Sequence, residues 1–205
     1  QVDWTIALSE HGQYFLKFID EEHSHSSQGV GEGIISLFSI VDALYDSTVG
    51  NVVVIDEPEL SLHPSLQKRL NKVFLRFSKD RQIVISTHSP YFVDVTALKC
   101  GAHLARITTG ETGTKIHQLS DKGKSIITAL AKDNLYNPHV FGLDARELFF
   151  LEDGVILTEG QEDVLLLPLI FEIFKKPIPG NFFGWGAGGA SNIIKICQIL
   201  KDLGF

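Results

Sequence analysis

The sequence predicts an α/β fold in which parallel strands carry polar loops at their carboxyl ends, arranged as two successive α/β units. Three observations lead there. Continuous apolar runs rich in β-branched residues, Asn51 to Ile55, Gln82 to Ser86 and Gly154 to Thr158, have the pattern of strands buried on both faces of a parallel sheet. Amphipathic segments separate consecutive strands at the spacing of a βαβ unit. Glycine-rich turns lead directly into apolar runs with helical periodicity.

The chain opens with two alternating segments, Val2 to Ile6 and Tyr14 to Ile19, separated by His11-Gly12, which read as a hairpin. A glycine turn, Gly29-Val30-Gly31-Glu32-Gly33, then opens a helix whose apolar face is Ile34, Ile35, Leu37, Phe38, Ile40, Val41 and Leu44. The strand from Asn51 ends in Asp56-Glu57-Pro58-Glu59. Pro64 starts the next helix, through Leu66, Leu70, Val73, Phe74 and Phe77, since proline is tolerated in a first helical turn. The strand from Gln82 stops at Thr87-His88-Ser89-Pro90. Both polar clusters fall where α/β sheets hold ligands, at the carboxyl ends of strands. A second hairpin follows near His103 to Thr108 and Lys115 to Leu119, then a helix near Gly123 to Lys132. Residues 134–150 have weak periodicity and read as a connecting segment. Beyond them come strand Gly154 to Thr158, helix Glu162 to Lys175, strand Asn181 to Trp185, a glycine loop, and helix Ser191 to Leu203.

The composition narrows the function classes. At 205 residues, 44% of them hydrophobic, the chain has material for a sizeable core and is not a disordered tail. The formal charge of −7, from 18 basic and 25 acidic side chains, excludes a basic arm that coats phosphates, so any nucleic-acid contact is local or metal-mediated. Two cysteines make neither a disulfide framework nor a zinc box and suit a reducing cytoplasm. No apolar stretch approaches the roughly 18 residues that span a bilayer, so no membrane partner is expected. The chain has no methionine and begins at Gln1, which suggests a piece of a longer polypeptide or a processed one.

Asp56 and Glu57 are paired carboxylates at the end of an apolar strand, the arrangement with which a nucleotide hydrolase holds Mg²⁺ and orients water. The first acid serves the metal and the second can accept a proton from the attacking water. An acidic surface loop is the plainer alternative. The βαβ geometry places His88, at the end of the next strand, beside both acids.

These segments resemble the ABC-type ATPases, especially those of DNA repair and defence. Val52 to Glu57 looks like Walker B, Leu60 to Pro64 resembles the D-loop region, and His88 resembles the switch histidine at the γ-phosphate. Ser27-Gln28-Gly29 sits where the signature motif belongs, without the usual double glycine. The resemblance implies ATP as ligand, Asp56 as Mg²⁺ holder, Glu57 as catalytic base, and Ser27 and Gly29 capping the γ-phosphate of a partner subunit in a head-to-tail dimer. No G-x-x-x-x-G-K-[ST] occurs, which the resemblance reads as a missing amino-terminal half.

Val155 to Asp163 again ends a strand in acid and glycine. Glu159 and Asp163, about one helical turn apart, can face one divalent cation with hard oxygens, or can simply cap a helix amino terminus. The segment resembles the opening of a Toprim domain, whose later Asp-x-Asp is absent from this sequence. An ABC-type ATPase followed by Toprim is the order in the OLD (overcoming lysogenization defect) family of ATP-dependent nucleases, which includes anti-phage defence proteins. That resemblance implies that Glu159, as a catalytic residue, and Asp163 bind Mg²⁺ or Mn²⁺ for DNA phosphodiester hydrolysis.

Three other patterns compete for attention. Gly184, Gly186 and Gly189 formally spell G-x-G-x-x-G, but the dinucleotide fingerprint belongs on a first βα turn and here an acidic βα unit precedes it. It reads better as a glycine loop lining the metal site. His23 and His25 lack further ligands at suitable spacing and read as a solvated loop. The apolar helix over Val164 to Phe174 is expected to be buried against the second sheet, and most aromatics to pack in cores.

The expected protein is therefore an α/β fragment: residues 1–133 as the carboxyl-terminal half of an ABC-type ATPase lobe, 134–150 as connector, and 151–205 as the first half of a Toprim nuclease domain. Its expected partners are ATP and DNA, in a homodimer or higher homo-oligomer. An ATP-driven DNA-binding clamp of the repair type, without nuclease activity, is the alternative, and a dinucleotide-binding oxidoreductase the third reading.

Overall fold

The computed structural model describes residues 3–12, 14–20, 23–26, 31–111, 113–133, 137–151 and 154–205. The chain divides into two compact units, Gln1–His88 and Ser89–Phe205. Ser27, Gln28 and Gly29 lie outside the described residues.

In the first unit, β1 (Asp3–Leu8) and β2 (Tyr14–Asp20) pair antiparallel as the alternation predicts, and β3 (His23–Ser26) adds a third strand along β2. The His-x-His segment is thus a strand rather than a loop. Backbone pairing suffices there, so its polar side chains gave no signal. Helix α1 (Glu32–Asp46) follows, and the ring of its Phe38 meets Trp4 edge to face with centroids 4.7 Å apart.

Next come β4 (Val52–Asp56), α2 (Pro64–Phe77) and β5 (Gln82–Ser86), a βαβ unit with β4 and β5 parallel and Asp56 opposite Ser86. Helix α2 starts with Pro64 in its first turn and with His63 as cap, whose Nδ1 accepts from the Ser65 amide at 3.2 Å. It buries Leu70, Phe74 and Phe77. The strands are not buried on both faces: Val52 and Val54 are 58% and 70% exposed, while Ile55 is buried. The sheet face that carries Val52, Val54 and Val84 is exposed, and among the described residues β4 pairs with β5 alone. Gly33, early in α1, has a positional reason. A Cβ there would fall 2.1 Å from the Ser61 carbonyl oxygen, so α1 lies directly on the backbone that follows the acidic turn.

The second unit contains α3 (Val95–Lys99), the antiparallel hairpin β6 (Ala105–Gly110) and β7 (Gly113–Gln118), and α4 (Asp121–Asp133). Residues read from sequence as a connector hold two short helices, α5 (Pro138–Phe141) and α6 (Leu143–Glu147), and a 3₁₀ turn over Leu148–Phe150. Then follow β8 (Val155–Ile156), α7 (Gln161–Ile173), β9 (Asn181–Phe182) and α8 (Ala190–Asp202), with β8 and β9 parallel. One apolar cluster joins Leu119, Ile127 and Leu130 to Phe183, Ile196 and Ile199. Helix α4, together with Leu119 just after the hairpin, therefore shares a core with α8.

Helix α7 departs from expectation. None of its residues is buried, and Leu165, Leu166, Leu169, Ile170 and Ile173 are exposed. The cause lies in the sheet: β8 and β9 are two residues each, too short to cover a helix of 13 residues. Among the described residues no helix is long and apolar enough to cross a membrane.

Candidate functional site

Two acidic strand ends, one in each unit, hold the residues singled out by sequence. In the first, parallel pairing extends one residue past β4, because the Glu57 amide donates to the Ser86 carbonyl at 2.8 Å. The chain then turns through Glu57 with φ +46°, a left-handed conformation unfavourable for a residue with a long side chain. Pro58 is fully buried behind it. The turn is closed by the Leu60 amide on the Glu57 carbonyl (3.1 Å) and the Leu62 amide on the Glu59 carbonyl (2.9 Å).

This geometry brings Glu57 and His88 together: His88 Nε2 lies 3.6 Å from Glu57 Oε1. Their side chains are 80% and 39% exposed, so both are open to a ligand. Asp56, at the end of β4, is also exposed. Two carboxylates and an imidazole thus stand on adjacent strand ends, a donor set able to serve a cation, a water proton and a phosphate. Mg²⁺ is commonly held by one or two carboxylates together with substrate phosphates and waters, and Asp56 fits that donor chemistry.

Sequence reasoning missed Glu59. Its carboxylate accepts from the Thr87 hydroxyl at 2.7 Å and from the His88 backbone amide at 2.5 Å, latching the acidic turn to the loop that carries His88. Glu59 stood in the quoted Asp56-Glu57-Pro58-Glu59, but its partners are a hydroxyl and an amide that no spacing rule reveals.

The second acidic strand end faces a cleft of about 510 Å³ lined by His139, Glu159 to Asp163, Gly188 and Gly189. Ladder-like bonds run past the two short strands: the Phe183 amide to Ile156 O (3.0 Å), Ala187 to Thr158 O (2.8 Å) and Gly189 to Glu159 O (3.0 Å). The glycine loop 184–189 thereby lies against the Glu159-Gly160 turn. Gly186 is required there twice over: φ is +83°, and a Cβ would fall 2.7 Å from Gly160 backbone atoms. Asn192, at the start of α8, donates to Ala187 O at 3.1 Å and Gly188 O at 3.3 Å and ties the loop down.

Asp163 Oδ2 accepts from the amides of Glu159 (3.2 Å) and Gly160 (3.3 Å), so the carboxylate caps α7. Its other oxygen and the Glu159 carboxylate remain as hard donors. Among the described residues no three His, Cys, Asp or Glu side chains are close enough together to enclose an ion. Two carboxylates suffice for a cation that keeps waters and takes substrate phosphate oxygens, and Glu159 and Asp163 fit that case.

Residues 12–94 match the protein family described as AAA domain, putative AbiEii toxin, Type IV TA system. The chain is 26% identical over 161 residues to the Old nuclease of Escherichia phage P2, a match covering 75% of this chain and 26% of that protein. It is 30% identical over 157 residues to the OLD nuclease of Thermus scotoductus (strain ATCC 700910 / SA-01), covering 74% and 28%. The chain thus spans about a quarter of the length of these curated relatives. It is similar to OLD nucleases, and residues 12–94 are similar to an AAA domain. Among solved structures, one of an Smc head domain with a coiled coil and joint from Pyrococcus yayanosii superposes with TM-score 0.44 at 13% identity, covering 64% of this chain and 26% of that one.

Proposed function

We propose that this chain is part of an ATP-dependent, metal-dependent DNA endonuclease of the OLD type. The reading is supported chiefly by one observation: likeness to two nucleases of that name covers three quarters of the chain, more than the 12–94 segment can hold, and so extends into the second unit. In this reading residues 1–133 are the carboxyl-terminal half of an ABC-type ATPase lobe, 134–150 connect, and 151–205 open a Toprim domain. A role in phage defence or DNA processing belongs to the same proposal.

At the first acidic end Asp56 holds Mg²⁺ with ATP, Glu57 takes a proton from the attacking water, and His88 contacts the γ-phosphate. Ser27 and Gly29 cap the γ-phosphate bound by a second copy, so the working state is a homodimer or higher homo-oligomer. At the second end Glu159 and Asp163 hold Mg²⁺ or Mn²⁺. A divalent cation there neutralises phosphate oxygens and acidifies water at neutral pH. The Glu159 carboxylate orients that chemistry, while the Asp163 carboxylate also fixes the turn through its cap. The charge of −7 accords with a DNA contact made through cations rather than a basic surface.

The test is plasmid nicking by the protein that carries this chain, with Mg²⁺ or Mn²⁺. Glu159→Ala should abolish nicking and leave ATP binding intact, whereas undiminished cleavage overturns the nuclease site. Glu57→Ala should retain ATP and slow its turnover at least about 100-fold, within the range for a lost general base. Normal hydrolysis there overturns the ATPase assignment.

A further inference from the structure

His139 enters the cleft from α5, outside every motif considered so far. The Asn137 side chain accepts from the His139 amide at 3.0 Å and fixes the start of that short helix. His139 Nδ1 lies 2.9 Å from the Trp185 carbonyl oxygen. A carbonyl only accepts, so Nδ1 carries the hydrogen and the neutral ring keeps its lone pair on Nε2. Trp185 is held in turn, its indole N–H donating to Asp144 Oδ2 at 2.8 Å. The ring also lies against Gly188, where a Cβ would come within 3.2 Å of it. An oriented imidazole with a free basic nitrogen thus shares a cleft with Glu159, and Asp163 is already engaged as a cap.

We propose that His139 is a catalytic residue of this cleft, its Nε2 receiving the proton of the water that attacks a DNA phosphodiester. This rests on the nuclease reading given above. The water oxygen bonds to phosphorus as the phosphorus–ester oxygen bond breaks. The water proton passes to Nε2, giving an imidazolium whose Nδ1–H stays on the Trp185 carbonyl, a backbone orienter behind a general base. The leaving oxygen keeps the electron pair of the broken bond and takes a proton from solvent. His139 then returns its proton to solvent.

Two variants separate chemistry from architecture. His139→Gln keeps a side-chain donor for the Trp185 carbonyl but has no basic nitrogen, and His139→Ala opens room for free imidazole. In the protein that carries this chain, nicking supercoiled plasmid with Mn²⁺, both should lose about 100- to 1,000-fold in kcat with the KM for DNA changed less than about threefold. Free imidazole should restore His139→Ala at least about tenfold and leave His139→Gln unchanged. In the 205-residue chain itself, Mn²⁺ should broaden the His139 ring resonances together with the Gly160 amide. Wild-type cleavage by His139→Gln, absence of imidazole rescue, or a sharp His139 signal beside a broadened Gly160 overturns the inference while the nuclease reading stands. Cleavage undiminished by Glu159→Ala overturns the placement of the nuclease site in this cleft, and this inference with it.

Discussion

Removing the Glu59 carboxylate should loosen the loop that carries His88. Two bonds end on it, from the Thr87 hydroxyl and the His88 amide. Hydrogen bonds to a charged acceptor contribute about 1.5–3 kcal/mol each. Glu59 is only half-buried and the freed His88 amide can reach water, so solvent screening and rehydration favour the low end. Glu59→Ala should therefore cost about 2–3 kcal/mol of local stability. With about 1.4 kcal/mol per factor of ten, protection of the His88 amide in hydrogen exchange should fall roughly 30- to 150-fold. Glu59→Gln keeps one acceptor oxygen and should lose about half of that free energy. The Val53 and Ile55 amides, which face β5 on the same edge of β4 as the Glu57 amide, serve as internal controls. A His88 amide whose protection changes less than about threefold in Glu59→Ala would refute the latch.

Gly186→Ala should destabilise the second unit by about 3 kcal/mol, through a left-handed residue and a Cβ driven onto Gly160, lowering its Tm by roughly 6–12 °C in calorimetry. An unchanged Tm means the glycine loop does not seat on the Glu159-Gly160 turn. Asp202 should make stability acid-sensitive. Partial burial raises its pKa, but bonds from the Ser120 hydroxyl and amide and from Gln198, with nearby Lys122, outweigh this and hold it below the ordinary carboxylate value. A depressed folded-state pKa adds stability that is complete above the unfolded value near ~3.9 and is lost as pH falls through the folded one. Asp202→Asn should be less stable than wild type at pH 7, and the gap between their urea midpoints should close below about pH 4. A constant gap contradicts the assignment.

The sequence showed most where backbone pattern and chemistry coincide. The β-branched runs located β4 and β5, and their polar ends placed Glu57 and His88 on neighbouring loops, now seen 3.6 Å apart. Which strand faces are covered was not legible, because periodicity reports apolar content and not the neighbour that shields it. Val52 and Val54 are exposed for that reason. The core shared by Leu119, Ile127 and Leu130 with α8 was equally hidden, being built from side chains far apart in the chain. His139 and Glu59 escaped notice because what defines them is a backbone carbonyl and a backbone amide, groups that every residue carries. Short helices α5 and α6, four and five residues long, are below the length at which helical periodicity can be counted.

The left-handed backbone at Glu57 bears on how this protein can be improved. A stability-guided redesign would replace a residue at φ +46° with glycine or asparagine and expect to gain about 1 kcal/mol. That replacement deletes the carboxylate that lies 3.6 Å from the His88 ring. Under the proposed role of Glu57 as base, thermostability and turnover select opposite residues at this position, and a library screened only for melting temperature should drift away from activity here first.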